Sequence, residues 1–446
     1  MTDLTYLLQV LNEPAHRHAE LDRYYHGKQP LAFLSPEART ALGNRFGRMA
    51  SNIPRLAVTA LAERLRVTGF TGDAEVWGDW MRNDLDQTSG IAHREALLFG
   101  DSYVIVWADQ FGRPTATVES PRQVAVLTDP GSRQITAAVK RWETRTTTEA
   151  VLYEPDQITR LRSDQMGAAT AEGFKVVETI GNPLGVVPVV NLRNRDLLFD
   201  THIGAWHHSH GCSEISDLMP LVDALNKSLA DMMVTSEYVG RPRRWATGIE
   251  LAEEPVYDDQ GNETDETVEV NPIPEGNRAM ISESPDAKFG QLAAADLNGY
   301  EASVRVILGQ IMAVSTLPAH YVGVFTDNPA SADALRAAEA SLTARAEARQ
   351  ATFGRAWEQV ARLMIAVRDG RDPAQIDVRV QWADAATRSV AQEADAVTKL
   401  YAAGLLPASY ALRRLGYSDD EVAEIRMARR AESLDTAGID LLKGTS

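Results

Sequence analysis

The sequence holds a single cysteine, Cys212, in 446 residues. One thiol excludes an intrachain disulfide and suits a reducing compartment. Long hydrophobic runs are missing as well. No apolar stretch reaches the ~18–20 residues that a bilayer span needs, and the opening residues "MTDLTYLLQV" have neither a basic n-region nor a cleavage site. These absences predict a chain made and used in a cytoplasm, without a membrane partner. Positive charge is in short supply: 45 Lys and Arg stand against 62 Asp and Glu, a formal net charge of −17. A sequence-specific DNA reader brings a basic surface to neutralise phosphates. This chain does not, so any nucleic acid it meets is met without a grip.

Catalytic signatures are absent too. G-x-x-x-x-G-K-[ST] does not occur, which excludes a P-loop, and "GNPLG" lacks the lysine and the helix of a phosphate cradle. No G-x-S-x-G is present, and no histidine motif accompanies the lone cysteine. Nine carboxylates lie between Glu250 and Glu269 with no base among them. They do not follow the ligand-and-glycine pattern of a calcium loop. They read as a solvated hairpin tip or a partner-facing acidic surface.

What is present begins with "HIGAWHHSHGCSE", which collects four of the nine histidines beside the cysteine. His202, His207, His210 and Cys212 are zinc-ligand types, and they define one alternative function, a zinc-dependent hydrolase. The spacing offers neither a helical H-E-x-x-H pair nor Cys-x-x-Cys, and the adjacent His207 and His208 point in different directions. The plainer reading is a polar loop leading into a helix at Ser213. No cofactor and no metal are expected.

The N-terminal third reads as helical. "EPAHRHAELDRYYHG" runs from Pro14 to a left-handed stop at Gly27. "SPEARTALGNRFGRMASNIPRLAVTALAERLRVTGF" is a helix kinked or split at Pro54, and "TSGIAHREALLFG" ends at Gly100. From Ser102 the pattern turns to short β-rich runs, "SYVIVW", "ATVES", "QVAVLTD", "ITAAVKRW", "EAVLYEP", "QITRLRS" and "FKVVET", an antiparallel meander. The prolines of "GNPLGVVPVVNLRNR" suit edge or loop positions.

Helices return at Ser213, with Leu218, Leu221, Val222, Leu225, Leu229 and Met232 on one face. A polar, Pro/Gly-broken insert with the turn "DDQGN" follows. A second helix then carries Leu297, Tyr300, Val304, Ile307, Leu308, Ile311 and Val314 on one stripe. After the link "TLPAHYVGVFTDNP", with Pro318 ending the second helix and Asp327 or Asn328 capping the next, comes the longest helix. Leu335, Leu342, Ala346, Phe353, Trp357, Val360 and Met364 keep its spacing, and at 1.5 Å per residue it is roughly 60 Å long. The strand "IDVRVQW" precedes three closing helices, the last with the capping box Ser418-x-x-Glu421. Arg413, Arg414, Arg426, Arg429 and Arg430 give these helices a helix-turn-helix look, but helical hairpins are common and the chain is acidic.

The order of "YYHGKQPLAFLSPEAR", "ASNIPRLAVTALAERLRVTGF", "HREALLFGDSYVIVW", "GCSEISDLMPLVDALNKSLADMM", "GRPRRWATG", "NPASADALRAAEASLTARAEARQATFGRAWEQVARL" and "EADAVTKLYAAGLLPASYALRRLG" resembles the portal proteins of tailed bacteriophages, of the type found in phages of Gram-positive hosts. The resemblance covers nearly the whole chain, although no single motif is decisive. It implies an α+β portal fold: an N-terminal wing of helices then β meander at 1–212, a first stem helix at 213–239, and a small β-rich clip at 240–290. A second stem helix at 291–316 follows, then a tunnel loop at 317–329, a long wing helix and strand at 330–385, and a helical crown and tail at 386–446. The histidine segment becomes the connection from wing to stem.

The resemblance further implies a non-enzymatic ring, usually of about twelve copies, at one capsid vertex, assembled in the host bacterial cytoplasm. Double-stranded DNA passes through it, driven by a separate terminase large subunit. A head-completion or adaptor protein and the major capsid and scaffolding proteins are the other implied partners. The tunnel-loop candidates facing DNA are His320, Tyr321, Val322, Val324, Phe325 and Thr326. The clip candidates for docking are Arg241, Arg243, Arg244, Glu253, Glu254, Asp258 and Asp259. Another ring-forming connector or capsid protein is the structural alternative.

Overall fold

The computed structural model describes residues 2–30, 50–195, 210–240, 244–248, 252–257, 263–270, 285–291, 297–324, 331–386, 390–417 and 421–432. The chain divides into two compact units, Met1–Ala383 and Asp384–Ser446.

The first unit opens with α1 (Thr2–Asn12) and α2 (Ala15–Tyr25). The α1 helix had no counterpart among the sequence-based assignments beyond the general helical character of this third of the chain. Its Leu4, Leu7, Leu8 and Leu11 are buried against Ala137 and Val139, Ala150 and Leu161. Their i, i+3, i+4, i+7 spacing makes the apolar stripe that a sheet face requires. Next come α3 (Ile53–Ala62), β1 (Val67–Thr71), α4 (Val76–Arg82) and α5 (Leu85–Phe99). Of the two outcomes expected at Pro54, a kink or a split, the described residues fit a break: 50–52 are not helical and Pro54 stands in the first turn of α3, where its missing N–H costs little. "RVTGF", expected as a helix end, is strand β1.

The β-rich segment forms two sheets rather than one meander. β2 (Asp101–Ala108), β3 (Pro114–Glu119) and β9 (Val189–Arg193) form a sheet in the order β3-β2-β9. β4 (Val124–Thr128), β5 (Ile135–Glu143), β6 (Thr148–Tyr153), β7 (Gln157–Ser163) and β8 (Lys175–Gly181) follow one another in the second sheet. All of these pairings are antiparallel. The sheets share a core in which Tyr103, Ile105 and Val189 meet Val126, Ala138 and Ile158.

From there α6 (Met219–Gly240) and α7 (Asn298–Ser315) flank four short strands, β10 (Arg244–Thr247), β11 (Ala252–Tyr257), β12 (Glu263–Val270) and β13 (Lys288–Gln291). These pair as two antiparallel ribbons, β10 with β13 and β11 with β12. Helix α6 starts at Met219 rather than Ser213, with Pro220 in its first turn. Residues 214–218 are turns.

Helix α8 (Ala332–Asp369) spans 38 residues, about 57 Å at the standard rise. Its cap is Ser331, whose side chain accepts from Ala334 N–H, and Gly370 at φ 65° ends it. The expected caps Asp327 and Asn328 lie outside the described residues. Leu342, Ala346, Phe353, Trp357, Val360 and Met364 are buried, whereas Leu335 is exposed, so the long stripe is a core element from Leu342 onward. There Ala361 and Ile365 pack on Val76 of α4 and on Val378. The neighbouring Trp80, Trp357, His93, Phe353 and Trp382 form one aromatic cluster. Strand β14 (Arg379–Trp382) closes the unit by pairing with β1 more than three hundred residues earlier.

The second unit holds α9 (Val390–Ala402), α10 (Ala408–Arg414) and helical backbone over 421–432. Arg429 donates to Tyr401 Oη at 3.2 Å and lies over its ring. Ser418 of the expected capping box lies outside the described residues.

Candidate functional site

The join between the sheets and α6 brings Gly100, His210 and Cys212, which the sequence names for other reasons, together with Asp101, Arg193, Asn194 and Glu214, which it does not single out. Helix α5 ends at Gly100, whose φ of 95° only glycine adopts readily. Gly100 lies back to back with Gly211, and a Cβ on Gly211 would sit 1.8 Å from the Gly100 carbonyl oxygen. Asp101, next in the chain, is buried. It accepts from Arg193 Nε at 2.9 Å, Asn191 Nδ2 at 3.0 Å and the Gly211 N–H at 2.8 Å. His210 Nδ1 stands 3.8 Å from its second oxygen. Burial alone would raise this carboxyl, but the Arg193 guanidinium, His210 and the Gly211 N–H outweigh it and hold Asp101 well below the usual carboxylate range.

Four residues after His210, the Glu214 side chain is nearly as buried as that of Asp101. Arg349 and Arg345 of α8 contact it at 2.9 and 2.5 Å, and Asn194 Nδ2 donates to it at 3.0 Å. Its own N–H donates to Leu97 O at 2.8 Å. Asn194 also brackets Cys212, accepting from its N–H at 2.6 Å and donating to its carbonyl at 2.7 Å. The segment entering α6 is thus stitched to α5, β2, β9 and α8 at once. On the other side His18 of α2 meets Phe99 edge-on at 5.2 Å. Burial, aided by His210, pushes its pKa down to about 4.

Of the histidine segment, His210 and Cys212 belong to this joint. His202, His207 and His208 lie outside the described residues. Among the described residues no group of three or more His, Cys, Asp or Glu is placed to hold a metal ion. Likewise no helix among them is long and apolar enough to cross a membrane. The Gly100-Asp101 step and the lone Glu214 before a helix were the available sequence signals. Neither discloses its partner, because those partners lie far away in the chain.

The helices α6 and α7 pack on each other, with Thr235 Oγ1 and Tyr300 Oη 3.1 Å apart. Leu218, Val222 and Leu225 are buried, as the expected face of α6 requires. On α7 only Ile311 of the expected stripe is fully buried; Tyr300, Val304, Ile307 and Leu308 are half-exposed, and Val306, off the stripe, is 65% exposed. In the insert between them, Glu253 stands directly opposite Glu269, and Glu254 is exposed. Arg244 opens β10. Arg241, Arg243, Asp258 and Asp259 lie outside the described residues. The expected chain stop after α7 also shifts: the helix ends at Ser315, and Thr316 at φ 59° caps it before Pro318 is reached. Ala319–Val322 is then a 3-10 turn. His320, Tyr321, Val322 and Val324 are half-buried, and Phe325 and Thr326 lie outside the described residues.

Comparison with known families resolves what this assembly of parts is. Residues 5–434 match the model of the family described as phage portal protein, SPP1 Gp6-like. The chain belongs to the phage portal protein family. The portal proteins of Mycobacterium phages D29 and L5 are each 32% identical to it, over 415 and 414 residues, covering 87% of this chain and 80% of theirs. Among solved structures, a virion of a native gene transfer agent particle is similar at a TM-score of 0.46 and 14% identity, covering 90% of this chain and 93% of that one. A neck of the native particle computed with C12 symmetry is similar at 0.45 and 16%, covering 88% and 97%. The glycine contact and the Asp101 and Glu214 clusters lie at the N-terminal approach to α6. The fold is the expected mixture of helices and sheets.

Proposed function

We propose that copies of this portal chain stand side by side in a ring at one capsid vertex, around a channel that carries double-stranded DNA in during packaging and out during ejection. The observation that carries this reading is the stem. Helices α6 and α7 pair with each other, yet α7 leaves Val306 65% exposed and most of its apolar stripe half-covered. An apolar helix flank without a core inside its own chain suits lateral packing against identical copies. The charge supports the role as well. About twelve chains at −17 each sum to about −204, a field that repels a sliding polyanion rather than holding its phosphates.

In this reading the ring is a passive conduit, and the ATP-driven work belongs to a separate terminase large subunit. The clip, with Arg241, Arg243 and Arg244 at its start and Glu253, Glu254, Asp258 and Asp259 beyond, is the docking face for the motor and for a head-completion or adaptor protein. Two signs so close favour steered, oriented contacts. Major capsid and scaffolding proteins surround the ring, which serves to nucleate the procapsid. The segment His320, Tyr321, Val322, Val324, Phe325 and Thr326 is the tunnel loop that meets DNA with apolar and aromatic groups.

Electron microscopy of the purified protein tests the proposal. Rings of about twelve subunits with an open channel are expected. A chain that stays monomeric at micromolar concentration over a range of salt overturns it.

A further inference from the structure

Arg64 follows the C-cap of α3 and lies far in sequence from the segment after α7. It is 8% exposed. Its Nη2 lies 3.3 Å from Tyr321 Oη and 3.1 Å from Glu339 Oε2 of α8. His320 Nε2 stands 3.5 Å from the other oxygen of Glu339, and the His320 and Tyr321 rings meet edge to face at 4.8 Å. The Arg64 backbone is fixed independently, since its carbonyl accepts from Gln350 Nε2 at 3.0 Å. The same amide group donates to Ala383 O at 3.0 Å.

The loop segment itself is closed into a knot. Tyr321 N–H donates to Pro318 O and Val324 N–H to Ala319 O, each at 3.0 Å. Gly323 makes the reversal at φ 78°, a conformation that costs glycine little. A compact turn of this kind, carrying two ring side chains, can be seated as one body by gripping those two side chains. Arg64 and Glu339 are the groups that grip them.

We propose that Arg64 is a positioning residue, a latch that seats the base of the tunnel loop on the wing through Tyr321 and Glu339. A buried guanidinium shared between a carboxylate and a phenol holds direction as well as distance. Of the six loop candidates, His320 and Tyr321 then serve as the anchor. Contact with DNA falls to residues beyond Gly323. The functional half of this statement rests on the portal reading given above; the latch itself rests on geometry alone.

The test is amide hydrogen exchange on the assembled full-length protein, combined with DNA packaging and retention in particles. Tyr321→Phe keeps the ring and removes one hydroxyl. Losing one hydrogen bond to a charged group predicts roughly ten-fold to a hundred-fold faster exchange at Tyr321 and Val324, with amides of the buried part of α8 unchanged. Arg64→Ala should release the segment further. Faster exchange with impaired DNA retention supports both statements. Faster exchange with normal packaging and retention keeps the latch and sinks the DNA-facing assignment of the loop. Unchanged exchange in Tyr321→Phe, whatever Arg64→Ala does, overturns the latch.

Discussion

Two buried carboxylates govern the approach to α6, and both are satisfied by residues drawn from elsewhere in the chain. Glu214 is held by Arg345, Arg349 and Asn194. Replacing it by Gln keeps the shape and removes the charge that balances a buried Arg349. The expected loss is about 3 kcal/mol of unfolding free energy, read by urea denaturation. Combining it with Arg349→Met should cost less than the sum of the two changes, because the uncompensated cation is then gone. Histidines set the acid side of stability. His18 and His93 are pushed down to about 4 and about 3, in both cases chiefly by burial. Each therefore stays neutral in the folded chain while the unfolded chain takes up a proton below about pH 6.5. Their contribution is fully present above that pH and is lost as pH falls towards 4 and 3. Depressed Asp101 adds a further loss below about pH 4, where the unfolded carboxyl protonates. Unfolding free energy should thus be flat near neutrality and decline from about pH 6.5 downward. In a His18→Leu variant, the decline between about pH 6.5 and 4 should be clearly shallower. An unchanged slope would show that His18 does not titrate on unfolding.

At the scale of elements, periodicity was legible and ends were not. The stripe Phe353, Trp357, Val360 and Met364 reads as helix from spacing alone, and all four residues are buried. Its start was misplaced because Asp, Asn and Ser all cap well, and three of them occur before Ala332. The choice fell to Ser331, which the chain presents in extended conformation with its hydroxyl on Ala334 N–H at 3.2 Å. Ser331→Ala should cost about 1 kcal/mol. Faster hydrogen exchange confined to residues 332–336 would show it, and exchange unaltered there would return the cap to another residue. Pro54 left two outcomes open, a kink or a split, because proline is disfavoured in a helix interior and tolerated in the first turn; α3 starts at Ile53, with Pro54 in that turn. Strand β1 escaped notice because Val67, Thr68, Phe70 and Thr71, although good strand formers, make only a five-residue run broken by Gly69 and placed directly behind a helical pattern. Its partner β14 lies on the far side of α8, and long-range pairing leaves no local mark.

At the scale of the whole molecule, the portal reading makes the exposed flank of α7 an interface between copies. Val306→Asp should leave the single chain folded, because that side chain is 65% exposed within it. A charge buried between subunits without a partner costs several kcal/mol. Mass photometry at micromolar concentration should then find the variant mostly as free chains, with circular dichroism unchanged. Intact rings from the variant would place Val306 away from the subunit contact. The acidic balance belongs to this scale too. It disfavours a phosphate-gripping surface on average, and the proposed ring would turn that balance into a field along a channel.

Helix periods, the β-rich character of residues 102–180 and the order of parts along the chain are local properties. They follow from side-chain spacing and from turn residues such as Gly100 and Gly370, so they could be read directly, and their order sufficed for the family resemblance. The division of the strands into two sheets, the pairing of β1 with β14, the clamp on Glu214 and the grip of Arg64 on Tyr321 were decided by tertiary structure. Each joins residues tens to hundreds of positions apart. Burial then made every one of those polar groups require a partner that spacing does not name.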